Sequence, residues 1–88
     1  MKLIYCPFCG DVLSLSLKKK SCTCGKSYGK YVDELNAIIC HNTIPLGFAN
    51  DSFHRARWAQ PQFGWGEKFT AFVIPEVVDS ITYSDDIE

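Results

Sequence analysis

Apolar and polar residues alternate with a period of two early in the chain and lose that regularity later. Lys2–Tyr5 is a short apolar run. From Asp11 to Leu17, Leu13, Leu15 and Leu17 alternate with Ser14 and Ser16, the pattern of a strand with one buried face. Tyr28 to Asp33 predicts another strand, and these segments together predict a small antiparallel sheet. Asn36 to Ile39 predicts a further strand ending at Cys40, with Pro45-Leu46-Gly47 as the breaker that follows. Asn50-Asp51-Ser52 offers helix-capping side chains, so Ser52 to Ala59 predicts a two-turn helix that stops before Pro61. Glu67 to Ile74 is apolar on both faces, which predicts a central or sandwiched strand. Val77, Val78, Ile81 and Tyr83 continue into a C-terminal strand, and the final SDDIE predicts a frayed acidic tail. The expected fold class is mainly β, a small α+β protein with an antiparallel sheet, one short helix and a C-terminal strand.

Two turns interrupt the early strands, CPFCG at 6–10 and CTCGK at 22–26. Cys6, Cys9, Cys22 and Cys24 therefore bring four thiols from two short turns toward one point, the donor set of a tetrahedral zinc site. In the C-x-x-C-G turn, backbone amides reach the thiolates and glycine accepts the left-handed conformation that closes the turn. Gly10 and Gly25 occupy equivalent places. The second pair is one residue shorter, and in an extended strand Cys22 and Cys24 would face opposite ways, so a tight turn at Thr23 is required. Cys40 and His41 are the alternative ligands if Cys22 or Cys24 is not used. Iron is the alternative metal, because four sulfurs suit either ion. A site closed by four protein ligands is structural and leaves no open position for water.

On these residues the chain resembles zinc-ribbon and rubredoxin-like knuckle proteins, and more loosely small zinc-ribbon proteins of bacteria and phages. The resemblance covers residues 5–25. It implies one structural zinc ion and no particular activity, because zinc ribbons serve nucleic-acid binders, protein adaptors and enzyme appendages alike. The expected organisation is a single domain over 1–88: a zinc ribbon at 1–33, an aromatic-rich extension at 34–80 and an acidic tail at 81–88.

At 88 residues the chain has room for one core, and metal binding that becomes folding free energy suits so small a domain. MKLIYC runs into the first knuckle without the apolar stretch of a signal peptide, and no segment is long enough to span a membrane, so a cytoplasmic protein is expected. An odd total of five cysteines at knuckle spacing in a reducing compartment points to metal ligands rather than disulfides. The net charge of −1 hides an asymmetry. Residues 1–31 set six lysines against Asp11 alone, while the remainder sets Arg55, Arg57 and Lys68 against nine carboxylates, so the halves carry +5 and −6. Four thiolates around one zinc ion would take the holo protein to about −3. Lys18, Lys19 and Lys20 offer a local basic surface beside the metal, although offsetting an anionic tetrathiolate explains them equally well.

Enzyme motifs are missing: there is no H-E-x-x-H, G-x-S-x-G, Walker A loop or H-x-E. Cys40 and His41 are adjacent and, on a strand, would face apart, which suits a core cysteine better than a nucleophile. His54 follows Asp51 by three residues, a pattern that a capped surface helix also produces. The chain is expected not to be an enzyme. Seven of the twelve aromatics fall between Phe48 and Phe72, interleaved with Arg55 and Arg57. Trp65, between Gly64 and Gly66, is either a lid over the core or a contact residue. With Phe63, Trp58, Arg55 and Arg57 it forms the candidate partner-binding set, since aromatics and arginine dominate both interface hot spots and base-stacking platforms. The expected function is a non-enzymatic zinc-binding module that engages a protein partner, as an adaptor or small inhibitor, with homo-oligomerisation possible. The alternative is nucleotide or single-stranded nucleic-acid binding by stacking plus Arg/Lys. The acidic total favours the first.

Overall fold

The computed structural model describes all 88 residues. It contains eight short strands and one helix: β1 (Lys2–Tyr5), β2 (Val12–Ser14), β3 (Lys20–Ser21), β4 (Tyr28–Tyr31), β5 (Ala37–Ile39), β6 (Ile44–Phe48), α1 (Asn50–Trp58), β7 (Ala71–Val73) and β8 (Ile81–Tyr83). This is the mainly β, one-helix composition that the pattern predicts. No helix is long and apolar enough to cross a membrane.

The strands form two four-stranded sheets, in the orders β2-β1-β6-β7 and β3-β4-β5-β8. The expected ribbon sheet is therefore divided: the hairpin carrying the first knuckle lies in one sheet and the hairpin carrying the second lies in the other. Pairing is antiparallel except between β5 and β8, where Ala37 aligns with Ile81 and Ile39 with Tyr83 in parallel. A parallel pair needs a crossover, and here the crossover contains β6, α1 and β7.

Ile4, Leu15, Ala37, Ile39, Ile74 and Ile81 form the core, with Leu13, Tyr31, Val78 and Tyr83 packed around it. Both sheets contribute, so the core lies between them. Polar ties reinforce the junction: the Lys2 amide donates to the Tyr31 hydroxyl at 2.8 Å, and the Tyr31 amide to the Ser16 carbonyl at 2.7 Å. Only 16 of the 88 residues are buried, a small core for a chain of this length, so a cross-link near the knuckles has much to contribute.

Four departures from the sequence expectations have local causes. Pro45 lies inside β6, opposite Ile4 of β1, rather than breaking the chain. Its carbonyl points toward the β7 side, where it accepts from the Ile74 amide at 2.9 Å. The missing N–H points the same way, so the ladder to β1 loses nothing at that position. The run from Glu67 to Ile74 is strand only over Ala71–Val73, and β7 is an exposed edge rather than a central strand. Its preceding apolar residue serves a second cluster, in which the Phe69 ring lies 4.8 Å from Phe48 and 5.0 Å from Phe53. The helix begins at Asn50 after Ala49, without a side-chain cap. Asn50 accepts from the Met1 amino group at 3.0 Å, and Ser52 donates to the Ala49 carbonyl while accepting from the Thr70 amide, both at 2.9 Å. The acidic tail is docked rather than frayed. Ile87 is buried, the Tyr28 hydroxyl donates to the Asp85 carbonyl at 2.8 Å, and the His41 amide donates to the Asp85 carboxylate at 3.0 Å.

Candidate metal centre

Each knuckle is a turn closed by its own backbone. In the first, between β1 and β2, the Gly10 amide donates to the Cys6 carbonyl at 2.8 Å and the Cys6 amide to the Asp11 carbonyl at 2.9 Å. In the second, between β3 and β4, the Gly25 amide donates to the Cys22 carbonyl at 3.1 Å, closing a turn one residue tighter, and the Cys22 amide donates to the Ser27 carbonyl at 2.9 Å. Gly10 and Gly25 have φ of 82° and 78°, the left-handed region where a Cβ is strained. The tight turn required at Thr23 is present, and Asp11 braces it: its carboxylate accepts from the Thr23 amide at 2.7 Å and also from the Thr23 hydroxyl. That pair of bonds links the residue after the first knuckle to the residue between the ligands of the second.

The sulfurs of Cys6, Cys9, Cys22 and Cys24 all lie within 4.8 Å of one another. Cys24 Sγ is 3.4 Å from Cys22 Sγ and 3.6 Å from Cys6 Sγ. Four sulfurs placed tetrahedrally about 2.3 Å from a zinc ion would be about 3.8 Å apart, so the cluster needs little adjustment to hold one ion. Cys6 and Cys22 are buried, whereas Cys9 and Cys24 face solvent. Cys40 lies outside the cluster. Its buried sulfur accepts from the Tyr28 amide at 3.2 Å and lies 3.0 Å from Thr43 Oγ1. His41 is also elsewhere, with Nδ1 3.1 Å from the Asp85 carboxylate. The short second knuckle thus supplies both of its cysteines, and neither alternative ligand is brought in.

The electrostatics suit a cation. Burial raises the Cys6 thiol, but the Ser27 hydroxyl, the amides of Cys9 and Phe8 and the Cys22 side chain outweigh it and bring it down to about 6. Cys22 is also lowered: burial opposes, while the Ser27 amide, whose nitrogen is 3.4 Å from the sulfur, and Cys24 favour the thiolate. Cys24 goes the other way. The Lys26 amide favours its thiolate, yet burial and the sulfurs of Cys22, Cys6 and Cys9 together push it up to about 12. Four thiols this close cannot all ionise unless a cation sits among them. A metal ion removes that conflict, and the donor set of four sulfurs fits zinc or iron.

The candidate partner-binding residues are separate from this cluster. Trp65 is 96% exposed and Trp58 and Phe63 are each 83% exposed, so Trp65 is not a lid over the core. Arg57 and Phe63 line one shallow hollow with Phe53 and Phe69, while Arg55 lines another with Lys68 and Thr70. The Arg57 guanidinium lies 5.8 Å from the centre of the Trp58 ring. Trp58 and Trp65 line neither hollow.

Asp11 and Ser27 escaped the sequence reading as parts of the metal centre. Asp11 directly follows the first knuckle glycine, a position from which a short carboxylate can reach the opposite turn. Ser27 carries no such signal. Comparison with protein-family models, curated proteins and solved structures returns no match. The four-cysteine cluster is consistent with a zinc-binding knuckle pair.

Proposed function

We propose that the chain is a zinc-ribbon-like module in which one structural zinc ion, held by Cys6, Cys9, Cys22 and Cys24, locks two hairpins together and supports a docking surface for a protein partner. The carrying observation is the exposure of Trp58, Phe63 and Trp65, three large rings that follow one another along the end of α1 and the loop after it. A large ring left in water forgoes burial worth roughly 25 cal/mol per Å² of apolar surface, and a small domain with few buried residues would gain from tucking it inward. Rings of this kind beside an arginine match the residues that dominate protein interfaces. The closed four-sulfur site supplies rigidity rather than catalysis, and the module is non-enzymatic.

A second reading has its own support. Arg55, Arg57 and Lys68 are the only Arg/Lys cations after residue 31 and all line the hollows beside α1, an arrangement suited to phosphate with stacked bases. One comparison separates the two. Purified holo protein is titrated with single-stranded oligonucleotide, and is separately used to capture partners from native extract at low and high salt. The protein-partner reading expects capture that survives high salt and is lost in Trp65→Ala. Retention by Trp65→Ala refutes it. Oligonucleotide binding that weakens steeply with salt and disappears in Arg55→Ala would establish the second reading instead.

A further inference from the structure

We infer that β7 is a dimerisation edge: two copies of this chain pair their β7 strands antiparallel about a two-fold axis at Phe72, joining their two β2-β1-β6-β7 sheets into one continuous sheet. The inference is independent of the metal centre and of the exposed rings that follow α1. β7 closes its sheet on one side, and all three of its residues are exposed. Phe72 stands opposite Gly47 of β6, and bonds from the Ile74 amide to the Pro45 carbonyl and from the Ala49 amide to the Thr70 carbonyl fix the alternation along the ladder. Thr70, Phe72 and Ile74 therefore turn their backbone groups toward β6, and those of Ala71 and Val73 point outward, where no strand of this chain pairs with them. Edges are commonly protected by charge or proline, as at β3, where Lys20 follows Lys18 and Lys19. Residues 69–74 contain no charge, proline or glycine.

The occupant follows from symmetry and charge. An antiparallel strand pair about a two-fold axis uses the same surface on both copies. With the axis at Phe72, Ala71 lies opposite Val73 of the second copy, and each such pair exchanges both of its outward N–H and C=O groups. The same register sets Lys68 opposite Glu76 of the second copy, once on each side of the axis. Both residues are exposed, and the one ion pair within the chain, His41 with Asp85, uses neither. Moving the axis one residue, to Ala71 or Val73, removes the Lys68–Glu76 match, and the Val73 axis also sets Ala71 against Pro75, which has no N–H. At the chosen axis the two Phe72 side chains meet across the closer, non-hydrogen-bonded position. Phe72 is 50% exposed and Val73 65%, so the pairing covers apolar surface that the single chain leaves in water.

Sedimentation equilibrium of the full chain in excess zinc, from low-micromolar to millimolar concentration, reads the association, and amide hydrogen exchange at the two ends of that range reads the edge. The expected result is a reversible monomer–dimer equilibrium in which the Ala71 and Val73 amides slow in the dimer more than that of Phe72, which is already bonded to β6. Lys68→Glu turns two attractions into two repulsions at exposed positions and should weaken dimerisation about tenfold. Combining it with Glu76→Lys should restore the wild-type affinity. A chain that stays monomeric throughout overturns the inference and leaves the edge to a strand of a different protein. A dimer whose Ala71 and Val73 amides exchange as in the monomer, or one indifferent to Lys68→Glu, overturns it as well.

Discussion

Gly29 is the position where a methyl group would meet the atoms least able to move. It lies in β4 opposite Ile39 of β5 and opposite Lys20 of β3, so it is flanked on both sides. A Cβ there would meet Ile39 Cγ2 at 2.8 Å, the Ile38 carbonyl oxygen at 2.9 Å and Ile39 Cα at 3.3 Å. Two of those atoms are backbone, and Ile39 is among the most buried side chains in the core, so neither can retreat without opening the β4–β5 ladder. Overpacking of this kind costs about 1–3 kcal/mol. Gly→Ala also restricts the unfolded chain, which returns roughly 0.4–1 kcal/mol. The net loss for Gly29→Ala is then about 1–2 kcal/mol, which for a domain of this size lowers Tm by roughly 5–15 °C. Thermal unfolding followed by circular dichroism at fixed excess zinc measures it. Gly66→Ala is the control, since its Cβ would have no atom within 4 Å. Gly47→Ala should be intermediate: its Cβ meets only the Phe72 ring, which lies on the exposed edge strand and can swing away. A Gly29→Ala protein as stable as wild type would refute the close β4–β5 packing.

Other expectations follow from the same geometry. Cys40→Ala should keep one metal per chain by elemental analysis while losing about 1–3 kcal/mol in urea unfolding, because the Tyr28 amide loses its sulfur acceptor; Cys24→Ala should instead lose the metal. Asp11→Ala should release zinc faster to a chelator than wild type, since the brace on the short knuckle is gone, and equal release rates would contradict that role. Asp85→Ala should speed hydrogen exchange at the His41 amide. The amide of His41, then its side chain, hold the Asp85 carboxyl below its usual range, so the contact is present above the unfolded value of about 3.9 and is lost only as pH falls through the lowered folded value. Protection of that amide, corrected for intrinsic rates, should therefore be the same at pH 5 and pH 7, and a marked loss at pH 5 would count against the carboxylate contact.

What the sequence revealed divides along physical lines. Local signals were legible: KLIY is β1 to the residue, and the knuckle spacing singled out the four cysteines whose sulfurs cluster, despite the missing residue in the second turn. The alternation of Leu13 and Leu15 was also informative, although Leu17, in the same register, lies past the end of β2 and is exposed. Tertiary context was not legible. Pro45 resembles a breaker until it is known that its missing donor points to one side of a ladder, and the apolar run ending at Ile74 suggests a central strand until Phe69 is seen to pack on α1 and β6. The parallel β5–β8 pair joins residues far apart in the chain, and short strands carry no mark of their partners. Ser27 is an ordinary small polar residue in the sequence and becomes informative only when its amide is found beside the Cys22 sulfur.

The central claim is the metal centre. X-ray absorption on gently purified, reduced protein, with metal content measured on the same sample, tests it most directly. The account predicts one zinc ion per chain surrounded by four sulfurs at about 2.3 Å. Metal well below one per chain, or nitrogen or oxygen in the first coordination shell, would contradict it.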